Sequence, residues 1–427
     1  MALELSNIMF TDQDDIVPSS GVEQILNTGV ANTLAGDDKI IGTGERYSIN
    51  NYGTLNTSDG NDVIIGISNT QEGNVVYGDG IFNAGIINTG DGDDKITGTG
   101  TATGITVTGI HRFNGGILDT GNGSDTITGT SSGSGDGIHI VTSTLNTGDG
   151  NDKITGTGIS YGINASYSTL DTGNGSDTIT GTGSNFGIGN SFIFNTGNGN
   201  DKITGNATIG GYGIVNGGTM DTGAGDDEIT GTTANGWGIY NFSKTIDTGD
   251  GNDKIIGTGD SYGIYNTGTI NTGNGSDIIT GTTTPERRYG IYNEGIINTG
   301  NGDDSIIANG GIFNNGGAIN MGDGNDSIIS NGGFQSASNS SGAWFLGEGD
   351  DYIKGFGSGD FYGGNGNDTV ELTPGTYTVG IWGEGGESPI FTKGDQLMIT
   401  SEFEKLKAGS TIYDFTSLTA GQIIIVA

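Results

Sequence analysis

Along most of the chain, single Ile, Val or Leu positions stand in short runs that alternate apolar and polar residues with a period of two. Residues 253–277 read DKIIGTGDSYGIYNTGTINTGNGSD and hold three such runs, around 254–257, 262–266 and 269–272. Each is bounded by Gly or Asn, which accept left-handed corner conformations, so the pattern predicts three short strands joined by three corners. Alternation turns Ile255, Ile264 and Ile270 inward, and Ile229, Ile239 and Ile246 fall at the equivalent places one repeat earlier. Nothing here follows the 3.6-residue period of a helix, and the glycine density opposes one.

The repeat is anchored by the pattern G-x-D-x-(I/V). It recurs at Asp38, Asp62, Asp94, Asp125, Asp152, Asp177, Asp201, Asp227, Asp253, Asp277, Asp304, Asp326, Asp351 and Asp368, at spacings of 17 to 32 residues. A period near 25 is the signature of a solenoid. The expected fold is all-β: a right-handed parallel β-helix with three strands per rung and the aspartate turns stacked along one edge. Residues 27–371 would form about 14 rungs. Residues 1–26, with Leu3, Leu5, Ile8 and Phe10, would cap one end. Residues 372–427, with strand candidates YTVGIW, DQLMITSEF, TIYDF and QIIIVA, would cap the other.

Composition changes the picture in one direction. The 427 residues include 88 Gly, no Cys, 14 Lys plus Arg and 50 Asp plus Glu, for a formal charge of −36. Such a surface repels nucleic acid and anionic lipid, which leaves a cation as its counterpart. No stretch has the length of a membrane-spanning helix, and the opening MALELSNIMFTDQDD lacks the basic region and long apolar run of a secretory signal peptide. Export would use another route.

In a parallel solenoid every motif aspartate lies above the one before, about 4.8 Å away, so the carboxylates repel unless protonated or bridged. The preceding Gly-x-Gly turn offers backbone carbonyls, and carbonyl plus carboxylate oxygens are what Ca²⁺ coordinates. The residues GGNGNDTVE at 363–371 and the many copies of TGxGxD resemble the hemolysin-type RTX calcium-binding repeats, pattern G-G-x-G-x-D-x-U-x, with Thr usually in place of the first Gly. The resemblance implies calcium at the fourteen aspartates and the glycine carbonyls before them, up to about 13 ions, one in each gap between stacked turns. It also implies type I secretion to the cell exterior, with a C-terminal signal within YDFTSLTAGQIIIVA.

Other columns follow from the same register. Asn83, Asn190, Asn216, Asn241, Asn266, Asn293 and Asn314 sit at the second corner, where side-chain amides can bond from rung to rung. Just before four of them lie Tyr240, Tyr265, Tyr292 and Phe313, an outward aromatic strip suited to a neighbouring copy or a glycan. Thr pairs such as Thr97 and Thr99, Thr128 and Thr130, Thr155 and Thr157, Thr180 and Thr182, Thr230 and Thr232, and Thr280 and Thr282 resemble the T-x-T face of solenoid ice-binding proteins, with interruptions at Ile67, Asn206 and Ala308. Lys39, Lys95, Lys153, Lys202 and Lys254 follow motif aspartates on the outward parity and screen them.

Signals for catalysis are sparse. GTSSG at 129–133 matches the nucleophile-elbow pattern without its strand-turn-helix context, the only histidines are His111 and His139, and Arg46, Arg112, Arg287 and Arg288 are scattered. The expected function is therefore a non-enzymatic, calcium-dependent structural protein of a surface layer, sheath, fibre or matrix, with itself or a surface polysaccharide as partner. It would neither bind nucleic acid nor enter a membrane. Ice or glycan binding, and a polysaccharide-acting β-helix enzyme, stay open as alternatives.

Overall fold

The computed structural model describes residues 2–18, 23–68, 71–72, 75–76, 78–109, 115–283, 289–336, 342–383 and 388–427. The chain divides into two units, Met1–Ala224 with Glu228–Ala234, and Gly225–Asp227 with Asn235–Ala427. Each is a parallel β-solenoid with three sheets. Among the described residues the only helical segments are two 3₁₀ turns, Leu5–Asn7 and Phe415–Ser417. No helix is long and apolar enough to cross a membrane.

In the first unit a representative rung consists of Lys153–Thr157, Tyr161–Ser166 and Thr169–Asp171. Its core residues Ile154, Ile163 and Leu170 stack in register on Ile179, Ile188 and Phe194 of the next rung, and all six are fully buried. In the second unit the rung Lys254–Gly259, Tyr262–Asn266 and Thr269–Asn271 stacks Ile255, Ile264 and Ile270 on Ile279, Ile291 and Ile297. Period-two alternation therefore sorts the side chains as the sequence predicts, one apolar residue per strand going inward.

At the N-terminal end Ala2–Glu4 pairs with Gln24–Asn27, and Ile16–Val17 pairs with the strand after Asp38, both parallel. At the other end the parallel winding gives way to antiparallel pairing. Gly375–Trp382 pairs with Ser388–Lys393 and with Ile423–Val426, Ser388–Lys393 pairs with Gln396–Ser401, and Lys405–Ala408 pairs with Thr411–Asp414. Tyr377, Phe391, Met398 and Ile424 fill the core of this end.

The asparagine column is a polar seam inside the solenoid. Nδ2 of Asn241 donates to Oδ1 of Asn266 at 2.9 Å, Asn266 to Asn293 at 2.8 Å and Asn293 to Asn314 at 2.9 Å, all buried. In the first unit Asn27, Asn51 and Asn83 are linked the same way, and two of these were not among the predicted positions. Val107, Ile140 and Ala165 then occupy the column before it resumes at Asn190. The amide of Asn266 also reaches the Ile296 carbonyl at 2.9 Å, so it serves two neighbours at once. Asn266→Ala is expected to cost about 2–3 kcal/mol, because it strands buried partners on both sides. Urea unfolding of the calcium-loaded protein measures this, and a change within the range of a surface substitution would contradict it.

Candidate metal centre

The nine turns ending at Asp94 through Asp304 have the form (Asp/Asn)-Thr-Gly-x-Gly-x-Asp, and their two glycines take positive φ, for example 77° at Gly121 and 145° at Gly123. The turn imposes this backbone even where the first glycine is missing: Leu34 (71°) and Ser58 (66°) are held in the same left-handed region, a strained choice for both. Close stacking gives a second reason for glycine. The carbonyl oxygen of Gly123 lies against Cα of Gly150, where a Cβ would overlap it and would also sit 3.3 Å from Oδ1 of Asp152. The same arrangement joins Gly225 to Gly251 and Asp253 in the second unit. At these turns a glycine carbonyl oxygen and the Oδ1 of the motif aspartate border the same small space.

Threonine in place of the family's first glycine fits without strain, because that position does not have positive φ. Its side chain points inward, fully buried in turns such as those of Thr89, Thr147 and Thr272. The hydroxyl of Thr172 donates to the aspartate of its own turn, Asp177 Oδ2, at 2.5 Å, and that of Thr272 donates to the next threonine's carbonyl, Thr299, at 3.2 Å.

All fourteen predicted aspartates are brought into register, seven in each unit, and none is more than 2% exposed. Oδ1 of each accepts the backbone N–H of the aspartate one rung earlier. Asp62, Asp94, Asp125, Asp152, Asp177 and Asp201 do so in the first unit, at 2.7–2.8 Å. Asp253, Asp277, Asp304, Asp326, Asp351 and Asp368 do so in the second. The other oxygen, Oδ2, is buried without a hydrogen bond at Asp38, Asp62, Asp94, Asp125, Asp152, Asp253, Asp277, Asp304, Asp326, Asp351 and Asp368.

The outer columns of the same turns behave differently. There Asn amides alternate with carboxylates and bond to them: Asn146 to Asp119 at 2.9 Å, Asn195 to Asp171 at 2.9 Å, Asn174 to Asp149 at 2.7 Å and Asn271 to Asp247 at 2.8 Å. Asparagine would serve the Oδ1 role of the inner column equally well, yet that column is aspartate throughout. The inner position therefore keeps a second anionic oxygen, for which the turn offers at most a threonine hydroxyl, and a buried carboxylate so sparsely bonded calls for a cation or a proton. Among the described residues no group of three or more His, Cys, Asp or Glu side chains converges as a metal cage. An ion here would be held by carboxylate and backbone carbonyl oxygens, a donor set that suits Ca²⁺.

Two residues extend the columns beyond the predicted set. Asp15 donates its N–H to Asp38 Oδ1 at 2.7 Å, and Glu404 Oε2 accepts the N–H of Asp368 at 2.7 Å. Asp15 could have been found from D-x-V in DDIV, although Gln13 stands where the glycine should be. Glu404 carries no motif, and only the pairing of Thr369 with Lys405 puts it there.

The remaining predicted features are placed as follows. Tyr240, Tyr265, Tyr292 and Phe313 lie side by side on one sheet, half-buried, with Tyr265 and Tyr292 stacked at 4.7 Å and Phe313 edge-on to Tyr292. Trp237, Tyr262 and Tyr289, three residues earlier in each rung, form a second column against them that the sequence reading missed. In the first unit Thr97, Thr128, Thr155, Thr180, Thr204 and Thr230 form an unbroken rank, and the rank beside it is broken by Ile67 and Asn206. Ala308 is a correction: it pairs with Gly281, faces inward and is fully buried, so Ile307 rather than Ala308 follows Thr280 in the outward rank. Lys202 bonds Glu228 at 2.8 Å on the outer face. Ser131 of the GTSSG match is buried in a strand and donates to the Ala102 carbonyl at 2.6 Å. His139 lies 3.7 Å from Asp136. His111, Arg112, Arg287 and Arg288 lie outside the described residues.

No family model matches the chain. No curated protein matches it either. Among solved structures it is similar to a hyperactive, Ca²⁺-dependent, β-helical antifreeze protein from an Antarctic bacterium, over 96% of each chain, at 18% sequence identity and a TM-score of 0.44.

Burial pushes the inner carboxyls up, to about 7 at Asp62, Asp125, Asp277, Asp326 and Asp368, and to about 6 at Asp94, Asp152 and Asp253. The turn's threonine hydroxyl, at Asp62, Asp94, Asp125, Asp152, Asp253 and Asp277, and the neighbouring backbone N–H, at all eight, pull the other way. In the unfolded chain the same groups titrate near 4. The folded chelated protein thus holds the extra protons: its stability is fully present below about pH 4 and is lost as pH rises through 6 to 7. Urea midpoints measured in chelator should fall steeply between pH 5 and pH 8. At pH 8 in chelator, Asp152→Asn should be more stable than the parent, and in calcium less stable. Flat midpoints across this range, or the same sign of change in both buffers, would overturn the assignment.

Proposed function

We propose that this chain is a non-enzymatic, calcium-dependent structural protein that works outside the cell, in a surface layer, sheath, fibre or matrix. The observation that carries the reading is the inner aspartate column, buried, unmixed with asparagine, and sparsely bonded at one carboxylate oxygen, as at Asp62, Asp152 and Asp277. Calcium in each gap would neutralise it, and the RTX-like turns supply the carbonyl oxygens. The formal charge of −36 opposes compaction until ions load, so folding after export into a calcium-rich exterior follows from linkage between binding and folding. Type I secretion, as in the RTX proteins, suits that order of events.

Assembly is supported by the aromatic strip of the second unit. Its seven rings form one continuous patch on a soluble face, and such patches mark contact surfaces. The proposed partner is a second copy of this chain. With calcium, static light scattering should rise with protein concentration, and Tyr265→Ser with Tyr292→Ser should suppress that rise while circular dichroism stays unchanged. Unchanged β signal and melting temperature after complete chelation would sink the calcium reading. A protein that stays monomeric in millimolar calcium would sink only the assembly.

One observation favours a second reading, ice binding. The two threonine ranks of the first unit repeat at about 4.8 Å between rungs and about 6.6 Å along the strand, a regular array of hydroxyl and methyl groups. Thr155→Tyr together with Thr180→Tyr would break it. Faceted ice crystals in the parent protein and round ones in the variant support this reading, and round crystals in both remove it.

A further inference from the structure

Near the C-terminal end of the second unit a cavity of about 330 Å³ opens on the outer face of the sheet, lined in part by Asp360, Tyr362, Trp382, Ser388 and Ser401. Four strands build it. Tyr362 pairs with Ser401 and Trp382 pairs with Ser388, while the pairing of Ile390 with Ile399 sets Ser388 opposite Ser401. The two serine hydroxyls lie 3.4 Å apart. Tyr362, Ser401, Ser388 and Trp382 therefore form one line across the sheet, with an aromatic ring at each end and two short hydroxyl side chains between. Three strand spacings separate the aromatic residues, about 14 Å between their Cα atoms. The rings stand as walls above a low polar floor.

Each wall is fixed differently. Phe345 on the adjacent strand stacks on Tyr362 at 5.1 Å and 17°, which holds that ring. Trp382 is 49% exposed, a large indole left open to solvent at the end of its strand. Asp360, on the same outward parity as Tyr362, adds a carboxylate to the cavity.

We infer that this cavity is a binding site for a neutral saccharide, whose pyranose rings lie against Tyr362 and Trp382. The apolar C–H faces of a sugar ring match aromatic walls, and its hydroxyls match a carboxylate acceptor and serine hydroxyls. Asp360 excludes uronic and sialic acids by charge, and a single carboxylate among hydroxyls does not make a metal site. The cavity lies at the small end of the range for ligand sites, about 300–1,000 Å³, so it takes one or two sugar residues of a longer chain. The inference does not depend on calcium as the ladder ion or on self-assembly.

The test uses the full chain in calcium buffer with maltohexaose, cellohexaose and chitohexaose as probes, read by tryptophan emission and by calorimetry. At least one should give saturable binding. Trp382→Ala should weaken it by more than about tenfold, Asp360→Asn should weaken it less, and Tyr265→Ser should leave it unchanged. All three variants should keep the parent melting temperature. No saturable heat or emission change with any probe, or binding that survives Trp382→Ala, overturns the proposal. Loss in Tyr265→Ser alone would also overturn it and move the glycan to the aromatic strip.

Discussion

A buried carboxylate with one oxygen bonded to a backbone N–H and the other offered at most a threonine hydroxyl is costly once, and this chain repeats it from rung to rung. The parallel solenoid forces the repetition, because strands in register put equivalent side chains directly above one another. Every other feature of the turn serves that column. The N–H of one aspartate is committed to the Oδ1 of the next, the threonine hydroxyl closes the inner side, and the glycine carbonyls fill the remaining space with oxygen. Such a column is stable with protons in acid or with cations at neutral pH, and it works against the fold with neither.

The outer columns show how the same geometry is handled when no ion is called for. At several outer positions asparagine is interleaved with carboxylates and its donor group meets the acid below, as Asn174 does with Asp149 and Asn252 with Asp226, although Asp323 and Glu348 stack directly in the open. The interior asparagine seam uses the amide alone, donor to acceptor along the stack. Three solutions to stacking polar groups thus coexist in the solenoid: amide on amide, amide on acid, and backbone N–H on buried acid. The choice follows burial and the need for net charge.

The faces left over are where contact with something else becomes possible. The first unit carries the flat threonine array. The second carries the double aromatic column, and at its C-terminal end, where parallel winding turns antiparallel, the strands splay enough to leave a cavity. A regular solenoid has few concave places, because each rung fills the one before it. The change in strand direction supplies one.

The sequence by itself determined the repeat, the three strands per rung, the inward Ile255, Ile264 and Ile270, the fourteen aspartates, the Tyr strip, and the Asn column at Asn83 and from Asn190 onward but not at Asn27 and Asn51. All of these depend on a two-residue alternation and a fixed motif that local spacing records. The inward turn of Ala308 was also legible and was misread: it stands four residues after Asp304 as Gly281 does after Asp277, the place of an inward glycine rather than of an outward threonine. The motif missed Asp15 and Glu404, which continue the columns through backbone pairing without the glycine turn. Trp237, Tyr262 and Tyr289 were visible as aromatics but not as partners of the strip. The cavity between Tyr362 and Trp382 was wholly out of reach, since four strands distant in sequence set its width. Periodic contacts between neighbouring rungs are written in the spacing of residues, whereas contacts made where the period ends exist only once the chain has folded back on itself.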